Sequence, residues 1–218
     1  MNTASNPLGL FTQRSRSYER FVRVVRYPQG IRAFFSGSSL LRPGLHILDA
    51  GCGTGVVTLA LREALSSRRL SLGPMQGFEL TPAMLERFHQ ILQSRGIDGV
   101  SIVQGDVLEL DALPRSWSHY DLIVSASMLE YLPRDQLVAG LSGLRALLNP
   151  EGSLLLFITR RNGLTRPLIG QWWQANLYTA AEIRDSLRRA GFSTLTFERF
   201  PAWFRHLALW GYIVQARG

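Results

Sequence analysis

Residues 45–55, with the sequence LHILDAGCGTG, decide the fold. The run LHILDA is short and apolar, as a buried strand is, and the helical pattern VVTLALREAL follows at 56–65. Between them, Gly51, Gly53 and Gly55 allow the backbone to turn tightly and to approach a ligand closely. Because a helix points backbone amides out of its first turn, this turn favours a carboxylate or a phosphate.

The alternation of apolar strands with longer helical patterns continues along the chain. Further strands are predicted at 75–80, 101–106, 120–127 and 153–159, and helices at 82–96 and 135–149, the second ending at Pro150. A helix at 179–192 and two strands that alternate like a closing antiparallel pair, 193–200 and 209–217, complete the pattern. It predicts an α/β fold of three layers, with a doubly wound, mostly parallel seven-stranded sheet and an antiparallel last strand.

Two helix starts and one interruption can be predicted from single residues. Thr81 is the expected N-cap of the helix at 82–96, and Thr179 with Glu182 has the spacing of a capping box. Residues 14–35 have the period of one or two helices, which Pro28 is expected to interrupt. We therefore divide the chain into a basic helical cover, residues 1–44, and one globular unit, residues 45–218.

Polar side chains end the second, third and fourth predicted strands. In a parallel sheet these ends share one edge, where open α/β sheets bind ligands. Glu79 could accept hydrogen bonds from two ribose hydroxyls, and Asp106 could accept one from an adenine amino group. A solvated acid at Glu79 and a helix N-cap at Asp106 are the competing interpretations. Ser125 ends the fourth strand, in line with the first.

The segments LDAGCGTG, FELTPAML, QGD, YDLIVSASMLEYL and NPEGSLLLF resemble, in order and spacing, the S-adenosylmethionine-dependent methyltransferases of the Rossmann-like class I, here of the small-molecule type. The resemblance covers residues 45–218. It implies S-adenosyl-L-methionine as the cofactor and places its binding residues at Asp49, Gly51, Cys52, Gly53, Gly55, Glu79, Leu80, Met84, Asp106, Val107 and Ser125. The chain lacks the Asn/Asp-Pro-Pro-Tyr ending of the nucleic-acid amino-methylating branch.

Catalytic and acceptor-side residues are less constrained by the sequence. Glu130 and Tyr131, after the fourth strand, are the candidate proton acceptors, although Tyr131 could pack and Glu130 could order the loop. Tyr18, Trp172, Trp173 and Tyr178 could wall an acceptor pocket or form a packed cap. Two other functions stay open: a nicotinamide-dependent oxidoreductase, whose Gly-x-Gly-x-x-Gly would need its third glycine one residue later, and a non-catalytic binding protein.

Composition excludes several kinds of chemistry. The chain has 24 basic residues, all arginine, so Schiff-base and lysine general-base mechanisms are excluded. One cysteine cannot form an internal disulfide, and no ligand cluster at metal spacing accompanies it, so no metal is expected. No secretory or membrane-spanning apolar run is visible, which predicts a cytoplasmic protein.

The charge is unevenly distributed. Residues 1–44 carry a net charge of +6, residues 45–158 a net charge of −4, and residues 159–218 a net charge of +6. If the basic flanks cover the acceptor site, the acceptor or its carrier is anionic: an acidic or lipid-like small molecule, or a phospholipid surface to which the protein is peripheral. No RNA-binding module accompanies the arginines, which argues against nucleic acid. The acceptor's identity, the methylated atom and the oligomeric state stay open.

Overall fold

Seven strands and five α-helices alternate in the part of the chain that the computed structural model describes, residues 23–171 and 174–218. The helices are α1 (Tyr27–Gly37), α2 (Val56–Ser67), α3 (Pro82–Ser94), α4 (Leu137–Ala146) and α5 (Ala180–Arg189). The strands are β1 (Ile47–Ala50), β2 (Met75–Glu79), β3 (Val100–Gln104), β4 (Tyr120–Ala126), β5 (Leu148–Thr159), β6 (Thr194–Glu198) and β7 (Gly211–Arg217). Short helical turns lie at Leu129–Tyr131 and Ala202–Leu209.

The strands form one sheet in the order β3-β2-β1-β4-β5-β7-β6. Strands β1 to β5 pair in parallel, whereas β7 runs antiparallel to both β5 and β6. The predicted fold class, including its antiparallel last strand, is confirmed. The carboxyl ends of β1, β2, β3 and β4 meet at one edge, where the predicted site residues lie.

Both faces of the sheet are buried under helices. Along β5, Leu154, Leu156 and Ile158 belong to one apolar core, and Leu155 and Phe157 belong to the other. Helices α4 and α5 cover the first core, and α1 and α2 cover the second. This two-sided burial explains why β5 is continuously apolar rather than alternating with polar residues.

The helical pattern is interrupted just before Pro28: residues 23–24 are helical, 25–26 form a turn in which Arg26 has φ of 58°, and Pro28 lies in the first turn of α1. Proline is tolerated there because the first helical amides have no partner within the helix. Ile31, Phe34 and Phe35 of α1 are buried in the second core, beside α2. The boundary predicted at residue 44 stays a prediction, and the helical pattern at 14–22 falls outside the described residues.

The helix predicted at 135–149 is shorter than expected. It ends at Ala146, and β5 already begins at Leu148. The pairing of β4 with β5 jumps from Tyr120↔Leu148 to Leu122↔Ser153, which leaves residues 149–152 outside the regular ladder. Pro150 is exposed in this irregularity, where its missing amide removes no ladder bond.

The two predicted helix caps differ. Thr179 accepts a hydrogen bond from the Glu182 amide, and Glu182 accepts one from the Thr179 amide, so the capping box is confirmed. Thr81 stands at the N-cap position of α3 but makes no side-chain cap bond, and its own amide donates to Glu79.

We expect Thr179→Ala to lower the free energy of unfolding by about 1 kcal/mol, because it leaves a helix amide without its acceptor. For a chain of this size the melting temperature should fall by roughly 2–4 °C. Thr81→Ala is the matched control, since it removes a threonine hydroxyl that caps nothing. Thermal denaturation of the three proteins without ligand measures the difference, and equal losses would contradict the assignment.

Candidate functional site

A cleft of about 710 Å³ opens at the carboxyl edge of the sheet. Its floor is the turn between β1 and α2, and its walls come from α1, from α2 and from the segments that follow β2, β3 and β4. Predicted cofactor residues that line it are Gly51, Cys52, Gly53, Glu79, Leu80, Met84, Asp106 and Val107. The volume is in the usual range for a small-molecule site.

The turn after β1 requires glycine at two positions for steric reasons. Gly51 has φ of 75°, and a Cβ there would lie 2.4 Å from Cγ of Met128. Gly55 has φ of 86°, and a Cβ there would lie 2.1 Å from Cε2 of Phe88. Any side chain would therefore push away either Met128, in the segment after β4, or the buried Phe88 ring of α3.

Glu79 is fixed by the loop it faces. Its Oε2 accepts a hydrogen bond from the Gly53 amide at 3.0 Å, and its Oε1 accepts one from the Thr81 amide at 2.9 Å. Each carboxylate oxygen can accept a further bond, so the side chain can hold the glycine turn and still bind hydroxyl groups in the cleft. The two backbone bonds set the orientation of the carboxylate before any ligand arrives.

Asp49 lies beneath the turn rather than in the cleft. It is 2% exposed, and its Oδ2 accepts hydrogen bonds from Oγ1 and the amide of Thr58, at 2.6 and 3.1 Å. Burial raises its pKa to about 7, against the opposing effect of these two bonds. Asp49 thus joins the end of β1 to the first turn of α2, and its role in cofactor binding stays a prediction.

The remaining cofactor predictions fall around the same cleft. The Asp106 carboxylate accepts a hydrogen bond from the Leu108 amide at 2.9 Å, which orders the turn after β3. Burial raises the pKa of the Cys52 thiol, so that side chain is neutral. Ser125 is fully buried beside Ala50, and the residues that reach the cleft from this strand end are Ala126, Ser127 and Met128.

A second, narrower cavity of about 60 Å³ adjoins the cleft. Both are lined by Tyr27, Ser127 and Tyr131, and the hydroxyls of Tyr27 and Ser127 lie 3.4 Å apart. The other walls of this acceptor-side cavity are mainly apolar and aromatic: Val25, Phe157, Ile158, Ile169, Phe200, Leu207, Trp210 and Tyr212. Glu130 and Thr159 supply most of the polar groups in its lining.

Glu130 is the chemically unusual residue of the acceptor-side cavity. It is 1% exposed, its Oε1 accepts a hydrogen bond from Thr159 at 2.7 Å, and its Oε2 has no hydrogen-bond partner. Burial raises its pKa to about 7, and the Thr159 bond opposes the increase. A carboxyl group with this pKa and an unused oxygen can accept a proton near neutral pH.

Some acceptor-side predictions do not fall in this cavity. The ring of Tyr178 is buried in the first apolar core, where Arg134 lies 4.7 Å from its centroid, so it lines neither cavity. Tyr18, Trp172 and Trp173 lie outside the described residues. Tyr27 and Thr159 do line the cavity but were missed; the strand-end rule that selected Glu79 would have selected Thr159, the last residue of β5.

A family model described as "Methyltransferase domain" matches residues 41–190, which include the glycine turn and all of the predicted cofactor residues. The chain belongs to this family. It is an S-adenosylmethionine-dependent methyltransferase domain of the class I, Rossmann-like fold, and S-adenosyl-L-methionine is its cofactor.

Relatives of this methyltransferase domain differ in what they act on. The carboxy-S-adenosyl-L-methionine synthase of Chromohalobacter salexigens is 35% identical over 53% of this chain and 40% of its own length. The chloroplastic 2-methyl-6-phytyl-1,4-hydroquinone methyltransferase 1 of Oryza sativa subsp. japonica is 26% identical over 81% of this chain and 50% of its own length. The chain therefore spans about half the length of the curated relatives it matches.

Among solved structures, the magnesium protoporphyrin IX methyltransferase of Synechocystis PCC 6803 with bound SAM resembles the domain over the full length of both chains. The TM-score is 0.66 at 19% sequence identity, which concerns the fold alone.

The cleft suits this cofactor on its own geometry. Gly53 has φ of 53°, and a Cβ there would meet nothing nearer than Sδ of Met84 at 3.9 Å, so this stretch of backbone faces open space. Glu79 offers acceptors for ribose hydroxyls, and Leu80 and Met84 offer apolar contact for a base. These roles stay predictions that binding experiments can test.

The described residues contain neither a membrane-spanning helix nor a cluster of metal ligands. None of the helices within 23–171 and 174–218 is long and apolar enough to cross a bilayer. In the same residues, no three His, Cys, Asp or Glu side chains gather as a metal site.

Glu130 should make stability depend on pH. Because its pKa is about 7 when folded and near 4.5 when unfolded, the folded chain binds the extra proton between these values, and stability falls as pH rises through them. Glu130→Gln removes this dependence. The difference in free energy of unfolding between the variant and the parent should therefore shift in the variant's favour by on the order of 3 kcal/mol between acid and a pH above 7. Denaturant unfolding at a series of pH values measures the difference. The contribution of Asp49 to the pH dependence is the same in both proteins and cancels in the comparison. Parallel curves of unfolding free energy against pH would contradict the prediction.

Proposed function

We propose that the protein methylates a hydroxylated aromatic acceptor with an apolar body, such as a phenol or hydroquinone, of which only the hydroxyl-bearing end reaches the acceptor-side cavity, whose volume is about 60 Å³. The observation that carries the proposal is the buried, unpartnered Oε2 of Glu130, a residue that lines the apolar cavity adjoining the cofactor cleft at Tyr27, Ser127 and Tyr131. An acceptor hydroxyl would supply the partner that this oxygen lacks.

The residues of the site have separable roles in this proposal. The cofactor supplies an electrophilic methyl group: the acceptor oxygen bonds to it as the carbon–sulfur bond breaks, and the electron pair stays on sulfur. Glu130 accepts the hydroxyl proton at Oε2, and Thr159 holds the carboxylate through Oε1. Tyr131 lies 9% exposed at the junction of the two cavities and orients the acceptor between them. The apolar walls exclude water from the transfer.

The relatives add independent support. The rice protein is named for an acceptor that joins a hydroquinone ring to a phytyl chain, a polar head on an apolar body. The acceptor-side cavity, with one carboxyl group among aromatic and aliphatic side chains, suits the hydroxyl-bearing end of such an acceptor.

An acceptor panel tests the proposal. The protein is incubated with S-adenosylmethionine and hydroquinones that carry alkyl chains of increasing length, together with their dimethoxy analogues, and products are identified by mass spectrometry. Turnover of the hydroxylated compounds, improving with chain length and absent for the dimethoxy analogues, is expected.

Methylation confined to amines or to charged acceptors without an apolar part would overturn it. Calorimetric titration of the same preparation with S-adenosylmethionine is the control, because it shows that an inactive sample still binds its cofactor. We expect that affinity to be micromolar, roughly −8 kcal/mol.

A further inference from the structure

Exposed apolar side chains concentrate on one face of the described structure. Val24, Leu164, Trp203 and Leu209 are 74%, 44%, 90% and 53% exposed, and they make up four of the six large hydrophobic residues that stand exposed in residues 23–171 and 174–218. A tryptophan that is nine-tenths exposed contributes little to the core, so folding alone does not account for it.

The three segments that carry these side chains touch one another. The His206 ring donates to the Val25 carbonyl at 2.9 Å, which joins segment 199–210 to segment 23–27. Asn162 donates to the Leu209 carbonyl at 2.6 Å, and the Arg160 amide donates to the Trp210 carbonyl at 2.9 Å, which join segment 160–166 to the same strip. We call these three segments together the basic apolar face.

The charge of this face has one sign. Its three segments contain seven arginines and no aspartate or glutamate. Arg26 lies over the Phe204 ring at 5.4 Å and Arg160 over the Tyr212 ring at 5.3 Å, while Arg166, Arg199 and Arg205 are exposed. Arg161 of the face pairs at 3.2 Å with Glu182, an acid that belongs to α5.

We propose that the basic apolar face docks on the surface of an anionic lipid bilayer. Arginines match lipid phosphates, and an exposed tryptophan with leucines and valine can enter the boundary between headgroups and acyl chains. A soluble polyanion would pair with the arginines but would leave Trp203 and Leu209 in water. A membrane surface accommodates both the arginines and the exposed apolar side chains.

The basic apolar face lies beside the acceptor-side cavity, so docking would also position that cavity. Val25, Phe200, Leu207 and Trp210, which come from the same segments, also wall the acceptor-side cavity. A docked protein would therefore hold that cavity next to the bilayer, where an acceptor with an apolar body is dissolved. This consequence rests on the proposed function, whereas docking itself does not.

Sedimentation of the full chain with lipid vesicles tests docking without any turnover. Vesicles of phosphatidylglycerol mixed equally with phosphatidylcholine should carry the protein down, and phosphatidylcholine vesicles should not. We expect Trp203→Ser with Leu209→Ser, and separately Arg199→Glu with Arg205→Glu, each to weaken binding by about tenfold or more.

The control is Arg115→Glu with Arg188→Glu, two exposed arginines outside the face, which changes the net charge by the same amount. It should bind vesicles nearly as the parent does. An equal loss in this control, or no sedimentation of the parent with anionic vesicles, would overturn the proposal. Binding to polyuridylate that survives the Trp203 and Leu209 changes, without vesicle binding, would assign the face to a soluble polyanion instead. Because none of these measurements involves methyl transfer, failure here is distinguishable from failure of the proposed function.

Discussion

The Glu130→Gln variant is expected to turn over its acceptor at least about a hundredfold more slowly than the parent protein, with unchanged affinity for S-adenosylmethionine. Glutamine keeps the shape of the side chain and an oxygen for the Thr159 hydroxyl, but it cannot take a proton from the acceptor. The parent's kcat should rise with pH through about 7, as Glu130 ionises, and this rise should be absent from the variant. Single-turnover kinetics across pH measures both effects.

Thr159→Val provides a control that separates positioning from structure. The Thr159 hydrogen bond lowers the pKa of Glu130, so its loss should move the activity profile to higher pH rather than abolish turnover. A Glu130→Gln variant as active as the parent at every pH would remove Glu130 from the reaction.

The Glu79→Ala variant is expected to lose about 1.5–3 kcal/mol of cofactor affinity, roughly ten- to a hundredfold in Kd. Two effects add: the charge-assisted bonds to the ribose are lost, and the amides of Gly53 and Thr81 lose their acceptor. Isothermal titration measures the affinity.

Glu79→Gln is the matched variant, because its single oxygen can serve one amide and should restore part of the affinity. Asp106→Ala should cost the same or less, since its carboxylate orders one local turn. If Glu79→Ala and Asp106→Ala both fold and bind as tightly as the parent, the strand-end assignments are wrong.

The sequence predicted the sheet and most of the cleft because these depend on local patterns. Alternating apolar runs locate the strands, and a glycine turn after β1 marks the cleft by steric requirement alone, as the contacts of Gly51 and Gly55 show. Glu79 could be selected because the end of a parallel strand has a known position relative to its neighbours.

The acceptor-side cavity could not be predicted in the same way. Its walls come from α1, the end of β5 and segment 199–210, which are far apart in the chain and approach only through tertiary packing. Tyr178, chosen for its aromatic ring, packs in a core instead, and that direction depends on tertiary packing rather than on residue type. The unpartnered oxygen of Glu130 is likewise a property of three-dimensional packing that no spacing encodes.

The junction at Tyr27, Ser127 and Tyr131 divides the molecule into two halves that can change separately. The half built on β1, β2 and β3, together with the segment after β4, supplies most of the cofactor cleft, while the half built on β5 and β7, with segment 199–210, supplies most of the acceptor-side walls. Substitutions at Phe200 or Ile169 can therefore remodel the acceptor's surroundings without touching a residue of the glycine turn. Libraries confined to those walls are a direct route to new acceptors, and grafts of the β5–β7 half between relatives of this fold should exchange acceptor preference while the donor chemistry stays constant.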